Sequence, residues 1–335
     1  MVFKKIDKEK LGEYLDKISY IAYSDSFAKF AESAYASRRS FVGVFEDDRL
    51  KAFFPVFERK GGRQHIAEAP FFIYTEVFFI DKNFVINGLN LGRKLAKFLN
   101  CDVLRLNIYK LFFPDNFTTG GFKEIFMALI IPLTNVRSFE DYLKNSISRN
   151  ARSKIYKAQT IGFELVKLGE NDLAEFYELY HRHVKHLNSA PHPVDYFRKI
   201  LNTHNLGRNL FIFGARYQGR LISANLFTLD KDYLEVKFLA DDINERRLFP
   251  NNFLYAEMIK WAIANGVKFI DLGGIPRTMH SNIEFKKSFG AEEYPIFTAY
   301  FFRNPLQKII FKLNRHILYI KKYPELILNK FIFGK

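Results

Sequence analysis

The sequence predicts an α+β protein made of two tandem modules, each a mixed central sheet flanked by helices, with a basic helical tail. Three observations carry this. At 335 residues the chain is long for one core, and about 150 residues per domain suggests two. Apolar residues recur at the strand period in FVGVFEDDRLKAFFPVFERK (41–60) and again in LFIFGARYQGRLISANLFTLDKDYLEVKFLADD (210–242), the signature of antiparallel hairpins. Finally, each set of hairpins is preceded by helices and followed by a helix and a strand, so one order occurs twice. The expected divisions are 1–135, 136–302 and a tail at 303–335.

Along the first module, the segment from Phe3 reads as two helices, followed by two strands joined by an acidic turn at Glu46–Asp48. Residues 70–80 read as a strand, NGLNLGRKLAKFLN (87–100) as a helix and DVLRLNIY (102–109) as a strand. The second module opens with SFEDYLKNSISRNARSKIYKAQTIG (138–162) as helix, then FELVKL (163–168) as a strand. DLAEFYELYHRHVKHL (172–187) has apolar positions near i, i+3, i+4 and i+7 and reads as a helix. Three strands follow with turns at Tyr217–Gly219 and Asp230–Asp232, then NNFLYAEMIKWAIANG (251–266) as a helix. KFIDLGG (268–274) and YPIFTAYFF (294–302) complete the module as strands.

Composition narrows the function classes. Apolar residues make up 48% of the chain, enough to bury two cores, and the 38 Phe lie in short runs that read as buried strands. The N-terminus lacks an apolar leader and no run reaches the roughly 18 residues of a membrane span, so a cytoplasmic protein is expected. The single Cys101 excludes an intrachain disulfide and reads as a packed thiol. The net charge of +15 is uneven: residues 303–335 hold 8 Lys+Arg against 1 Asp+Glu, and residues 137–158 hold 6 against 2. Such clusters attract phosphate, whether on nucleic acid, a nucleotide-linked precursor or a membrane face; a solvated basic surface is the plain alternative. In the tail, Leu306, Ile309, Ile310, Leu313, Ile317 and Ile320 keep helical spacing beside Lys308, Lys312, Arg315, Lys321 and Lys322. The helix either lies on an anionic membrane surface, at the cytoplasmic face, or docks on the second module.

Several chemistries are excluded by their missing motifs. There is no GxSxG, no Walker loop and no GxGxxG after a strand. His181, His183, His186 and His192 cluster, but HExxH is absent and the spacing of two separates His181 from His183 on a helix, so no metal site is expected.

The positive signal is GRLISANLFTLDKDYLEVKFLADDINERRLFPNNFLYAEMIKWAIANGVKFIDLGG (219–274), which resembles the core of the GCN5-related N-acetyltransferase fold. In that fold the loop (Q/R)xxGx(G/A) binds coenzyme A pyrophosphate through amides at a helix N-terminus. Here the loop is Arg247-Leu248-Phe249-Pro250-Asn251-Asn252: the Arg is present, both glycines are replaced, and Pro250 offers no N–H. Helix capping is the plain reading of Asn251 and Asn252.

IDLGG, a loop with Pro276 and Asn282, then FKKSFGAE resembles the C-terminal signature of FemAB-like aminoacyltransferases, which are built from two tandem acetyltransferase-like domains. SISRNARSKIYKAQTIGFELV (146–166) resembles the segment that opens their second domain. The resemblance implies transfer of an aminoacyl or acyl group to an amine of a phosphate-bearing cell-envelope precursor, such as a peptidoglycan intermediate. It implies no tightly bound cofactor; the donor is charged tRNA or an acyl thioester on coenzyme A or acyl carrier protein. The long helical arm of some members is absent.

The resemblance assigns Lys286, after Phe285, to substrate phosphate or developing charge, while Lys287 reads as a solvated neighbour. Packing of Phe285 and Phe289 with both lysines outward is the alternative. Asp271 is the nearest candidate general base, or a turn cap. Gly273 and Gly274 fit a close backbone approach or a turn. Arg277, Lys185, Arg246 and Arg247 are candidate phosphate contacts, and Asn252 and Asn282 candidate substrate contacts. The rival function is a non-catalytic RNA- or membrane-binding protein on a decayed acetyltransferase scaffold.

Overall fold

The computed structural model describes residues 1–18, 21–68, 77–109 and 117–322. The chain divides into two compact units: Met1–Ile18, Ala22–Phe126 and Pro295–Lys335 form the first, Ser19–Ile21 and Met127–Tyr294 the second.

The first unit begins with a strand, β1 (Val2–Ile6), where the sequence reads as helix. Pairing against a neighbouring strand buries Phe3, and this long-range gain outweighs the local helical preference of a lysine-rich segment. A short α1 (Gly12–Leu15) follows, then α2 (Asp25–Tyr35), capped by Ser24 Oγ accepting from Phe27 N–H at 3.2 Å. β2 (Arg38–Glu46) and β3 (Arg49–Gly61) form a hairpin. Its turn residues Asp47 and Asp48 have φ of 50° and 55°, the left-handed pair that matches strand twist.

β4 (Gln64–Glu68) and β5 (Phe78–Phe79) pair with β3; the remainder of the strand expected over 70–80 lies mostly outside the described residues. Beyond them come β6 (Ile86–Asn87), α3 (Gly88–Phe98), β7 (Val103–Tyr109) and β8 (Phe117–Thr118), with β7 parallel to β4. Alternation puts Val42, Phe54 and Val56 on the face packed with Leu91 and Leu95 of α3. Phe41, Phe53 and Phe57 take the other face, where Phe57 meets Phe27 of α2 edge-on at 5.4 Å. The phenylalanines of β2 and β3 therefore lie on strands covered on both sides.

β9 (Lys123–Pro132) leads into the second unit. The segment expected as one helix over 138–162 is two: α4 (Phe139–Asn145), capped by Ser138, and α5 (Arg149–Thr160), capped by Ser148. The serines that cap a new helix also interrupt the old one. β10 (Glu164–Lys167), α6 (Leu173–His186), α7 (Val194–Thr203), β11 (Leu210–Tyr217), β12 (Arg220–Asp230), β13 (Tyr233–Asp241), α8 (Pro250–Ala264), β14 (Phe269–Ile275) and α9 (His280–Lys287) follow. The strand order is β9-β14-β13-β12-β11-β10, antiparallel except for β13 with β14.

α8 is apolar nearly all round and buries Phe253, Leu254, Tyr255, Met258 and Ile259, as a helix enclosed by the sheet on one side and α5 on the other must. Two irregularities bear on the site. β13 and β14 pair only over Tyr233–Glu235 with Phe269–Asp271, and the register of β14 on β9 shifts between Asp271 and Gly274.

β15 (Glu292–Phe302) pairs with β7 of the first unit from Ile296↔Tyr109 to Phe302↔Val103. The strand expected to end the second module thus joins the first unit from Pro295 onward, and the chain divides at Phe126/Met127 rather than 135/136. The buried 2.8 Å bond from Thr298 Oγ1 to Asn107 Oδ1 helps hold this register. α10 (Pro305–Lys322) belongs to the first unit and packs within it: Gln64 Nε2 donates to Gln307 O at 2.9 Å, and Phe311 meets Tyr300 and Phe302 at 5.6 and 5.8 Å. Residues 323–335 of the expected tail lie outside the described residues.

Candidate functional site

In the second unit the end of the β13–β14 pairing gathers charge in an apolar surround. β13 reads Tyr233-Leu234-Glu235-Val236-Lys237, so Glu235 and Lys237 share one strand face. Asp271, whose backbone is paired with Glu235 across β14, is 1% exposed and Glu235 is 5% exposed. Lys237 Nζ lies 2.5 Å from Glu235 Oε1, whereas Glu235 Oε2 is buried with no hydrogen-bond partner among the described residues. Thr228, opposite Glu235 on β12, likewise has a buried, unpartnered hydroxyl.

Both oxygens of Asp271 are engaged. Tyr233 Oη donates to Oδ2 at 2.8 Å and the Gly273 N–H donates to Oδ1 at 2.7 Å. That second bond is the turn-capping arrangement, and it accompanies Gly273 at φ 84°, a backbone that only glycine adopts without strain. Burial raises the Asp271 pKa against the opposing bonds from Tyr233 and Gly273 and the charges of Lys237 and Lys286. Burial likewise lifts Glu235 to about 7, with Lys237 pulling it back and Asp271 adding to the rise.

Lys286 completes the cluster from the last turn of α9, where the sequence reads as loop. Its Nζ donates to the Leu272 carbonyl. Burial lowers its pKa to about 8, opposed by the charge of Asp271. In the FKKSFG stretch Phe285 and Phe289 pack with Tyr255 at 5.3 and 5.1 Å, while Lys286 turns inward and Lys287 pairs with Glu293 at 3.0 Å on the surface. The helix is tied down by Ser148 N–H donating to Ser288 O at 2.8 Å and Tyr142 Oη donating to Phe289 O at 2.7 Å. Gly290, at φ 84°, lies against Tyr142 so closely that a Cβ would collide with its hydroxyl.

The other residues singled out from the sequence lie elsewhere. Arg246 donates from Nε to Asp241 Oδ2 at 2.8 Å, so that nitrogen is committed to a carboxylate. Asp241 also pairs with His183, and burial, which would raise its pKa, is outweighed by these two partners. Asn252 is buried inside α8. Asn251 instead lines this network, donating to Asp241 at 3.2 Å and accepting from Ser223 at 2.8 Å. Lys185, Arg247 and Asn282 are exposed. Arg277 is exposed and lies 3.6 Å from Glu293. Gly274 resumes the pairing with β9. The four histidines disperse: His183 turns to Asp241, His181 to Tyr177 at 5.8 Å, His192 to Tyr196 at 4.2 Å, and His186 ends α6.

Sequence reasoning missed Tyr233, Glu235 and Lys237. The signal was there: two opposite charges at i and i+2 within a run as apolar as YLEVKFL must share one face of a central strand. Together the cluster holds two carboxylates and two ammonium groups. A carboxylate near 7 and an amine near 8 are suited to exchange protons at neutral pH, and an ammonium fixed at a strand end is suited to meet developing negative charge.

Residues 145–294 match the family model described as an acetyltransferase (GNAT) domain. No curated protein matches the chain. Among solved structures, FemX is similar at a TM-score of 0.65 and 15% identity, covering 93% of this chain and 99% of that one. The C-terminal domain of a putative lysylphosphatidylglycerol synthetase from Agrobacterium fabrum has a TM-score of 0.54 at 13% identity, covering 92% and 95%. A tandem GNAT protein from the clavulanic acid biosynthesis pathway has a TM-score of 0.54 at 14% identity, covering 89% and 98%. These likenesses establish the fold, two tandem acetyltransferase-like domains. The family match places an acetyltransferase (GNAT) domain in the second unit and supports an acyltransferase.

Proposed function

We propose that the protein moves an aminoacyl or acyl group from an activated donor to an amine of a phosphate-bearing cell-envelope precursor, with the chemistry at the Lys286–Asp271–Glu235–Lys237 cluster. The observation that carries this reading is a pair of titratable groups, buried Glu235 on β13 raised to about 7 and part-buried Lys286 on α9 lowered to about 8, within the residues that match the acetyltransferase domain. Perturbed pKa values on a preorganised scaffold favour a catalytic site.

In the proposed step the acceptor nitrogen attacks the carbonyl carbon of the donor. The C–N bond forms, the carbonyl π electrons move to oxygen, and the ammonium of Lys286 stabilises that oxyanion, an effect of about 3 kcal/mol in comparable sites. Collapse breaks the bond to the donor's ester oxygen or thioester sulfur, which leaves as the neutral alcohol or thiol with the proton that Glu235 first takes from the nitrogen. The proton lost by the nitrogen passes to Glu235 through its unpartnered Oε2. Asp271 has both oxygens occupied by Tyr233 and Gly273, so it is assigned to holding Lys286 charged rather than to proton abstraction.

Aminoacyl-tRNA is the favoured donor. FemX and the lysylphosphatidylglycerol synthetase domain share the fold, and Pro250 at the first position of α8 removes an amide from the place where a pyrophosphate would sit. The test is transfer of label from radiolabelled aminoacyl-tRNA to a pool of amine-bearing precursors, with coenzyme A as competitor. Label moving to a precursor, undisturbed by coenzyme A, is the expected result. Transfer from acyl-coenzyme A alone overturns the donor assignment, and transfer from neither overturns the function.

A further inference from the structure

The tail helix docks by a face other than its apolar one. α10 packs on the first unit through Gln307, Phe311 and Asn314, whose partners are Gln64, Tyr300 and Phe302. Those three positions lie on one side of a 3.6-residue helix. Leu306, Ile309 and Leu313 form a separate stripe about a third of a turn away, and they are 60%, 55% and 55% exposed. Lys308 and Lys312 are exposed on the remaining side. An apolar stripe that the helix does not use for its own docking calls for another occupant.

We propose that this stripe inserts into the surface of an anionic lipid bilayer, which the surrounding cations hold in place. The charge decides the occupant. Lys308 and Lys312 flank the stripe on α10 itself, and residues 303–335 hold 8 Lys+Arg against 1 Asp+Glu. Cations beside an exposed apolar stripe on the same helix favour interfacial binding to anionic headgroups. A second copy of the chain fits less well, because each carries a net charge of +15 and would bring like charges together.

This inference is independent of the transfer reaction, since it is read by binding without turnover. The full-length chain is sedimented with vesicles of phosphatidylcholine alone and of phosphatidylcholine mixed with phosphatidylglycerol. Binding to the mixed vesicles only, weakening as salt rises, is expected. Leu306→Gln/Ile309→Gln/Leu313→Gln should weaken it at least about tenfold, and Lys308→Glu/Lys312→Glu more than about twentyfold, from roughly fivefold per lysine. Both variants replace exposed side chains, so an unchanged thermal melt is the control for folding. Equal binding by wild type and variants overturns the proposal. So does absence of vesicle binding, including the case in which the wild type elutes as a dimer that the triple glutamine variant disperses.

Discussion

Replacing Lys286 by Met separates what the buried cation costs the fold from what it gives the reaction. The unfolded chain has an ordinary lysine near 10.5, whereas the folded chain holds Lys286 at about 8 because burial disfavours its charge. The sign follows from proton binding. Between these two values the unfolded state binds the extra proton, so stability rises as pH increases from about 8 to 10.5, and the penalty is fully present below 8. A fall of about 2.5 in pKa, at about 1.4 kcal/mol for each, makes the penalty about 3 kcal/mol at neutral pH. Met has similar volume and no charge to desolvate. The assay is urea unfolding of wild type and Lys286→Met from pH 7 to 10.5, followed by the difference in unfolding free energy. Tyrosines and surface lysines titrate in both proteins and cancel. The difference should move toward the wild type by about 3 kcal/mol across that range, while turnover at pH 7.5 falls about a hundredfold or more. Parallel stability curves would refute the burial argument, and undiminished turnover would refute the assignment of Lys286.

The same cluster sets further expectations. If Glu235 accepts a proton and Lys286 must keep one, kcat/KM rises through about 7, falls above about 8, and is bell-shaped; Glu235→Gln should remove the acid limb and lower turnover at least about tenfold. An intact acid limb in that variant would place the base elsewhere. Tyr233→Phe leaves Asp271 Oδ2 without its 2.8 Å donor and should cost about 1–2 kcal/mol in chemical denaturation; a change within error would mean that water replaces the hydroxyl. Gly290→Ala forces a Cβ into a left-handed backbone against the Tyr142 hydroxyl and should lower stability by about 2 kcal/mol or more, read as a drop in melting temperature.

Much of the fold was legible in the chain because it rests on local pattern. Period-two runs marked β2, β3, β11, β12 and β13, and the 3.6-residue period marked α6. Local pattern failed where a partner distant in sequence decided the outcome. β1 is a strand because β2 offers an edge and a place for Phe3. α9 is a helix although its N-cap residue, Met279, makes no capping bond; its end is held by Ser148 and Tyr142.

By itself the sequence determined the α+β class, the tandem organisation, and a tail helix with one apolar and one basic side. Each of these depends on residue type and spacing over a few turns. Tertiary structure decided which residues meet. It sent β15 to β7, set Glu235 and Lys237 beside Asp271, drew Arg246 to Asp241, and turned the apolar stripe of α10 outward. The physical reason is that burial and charge pairing are sums over neighbours. A carboxylate near 7 and an amine near 8, each facing the charge of Asp271, arise only when strands and a helix far apart in the chain exclude water around that carboxylate.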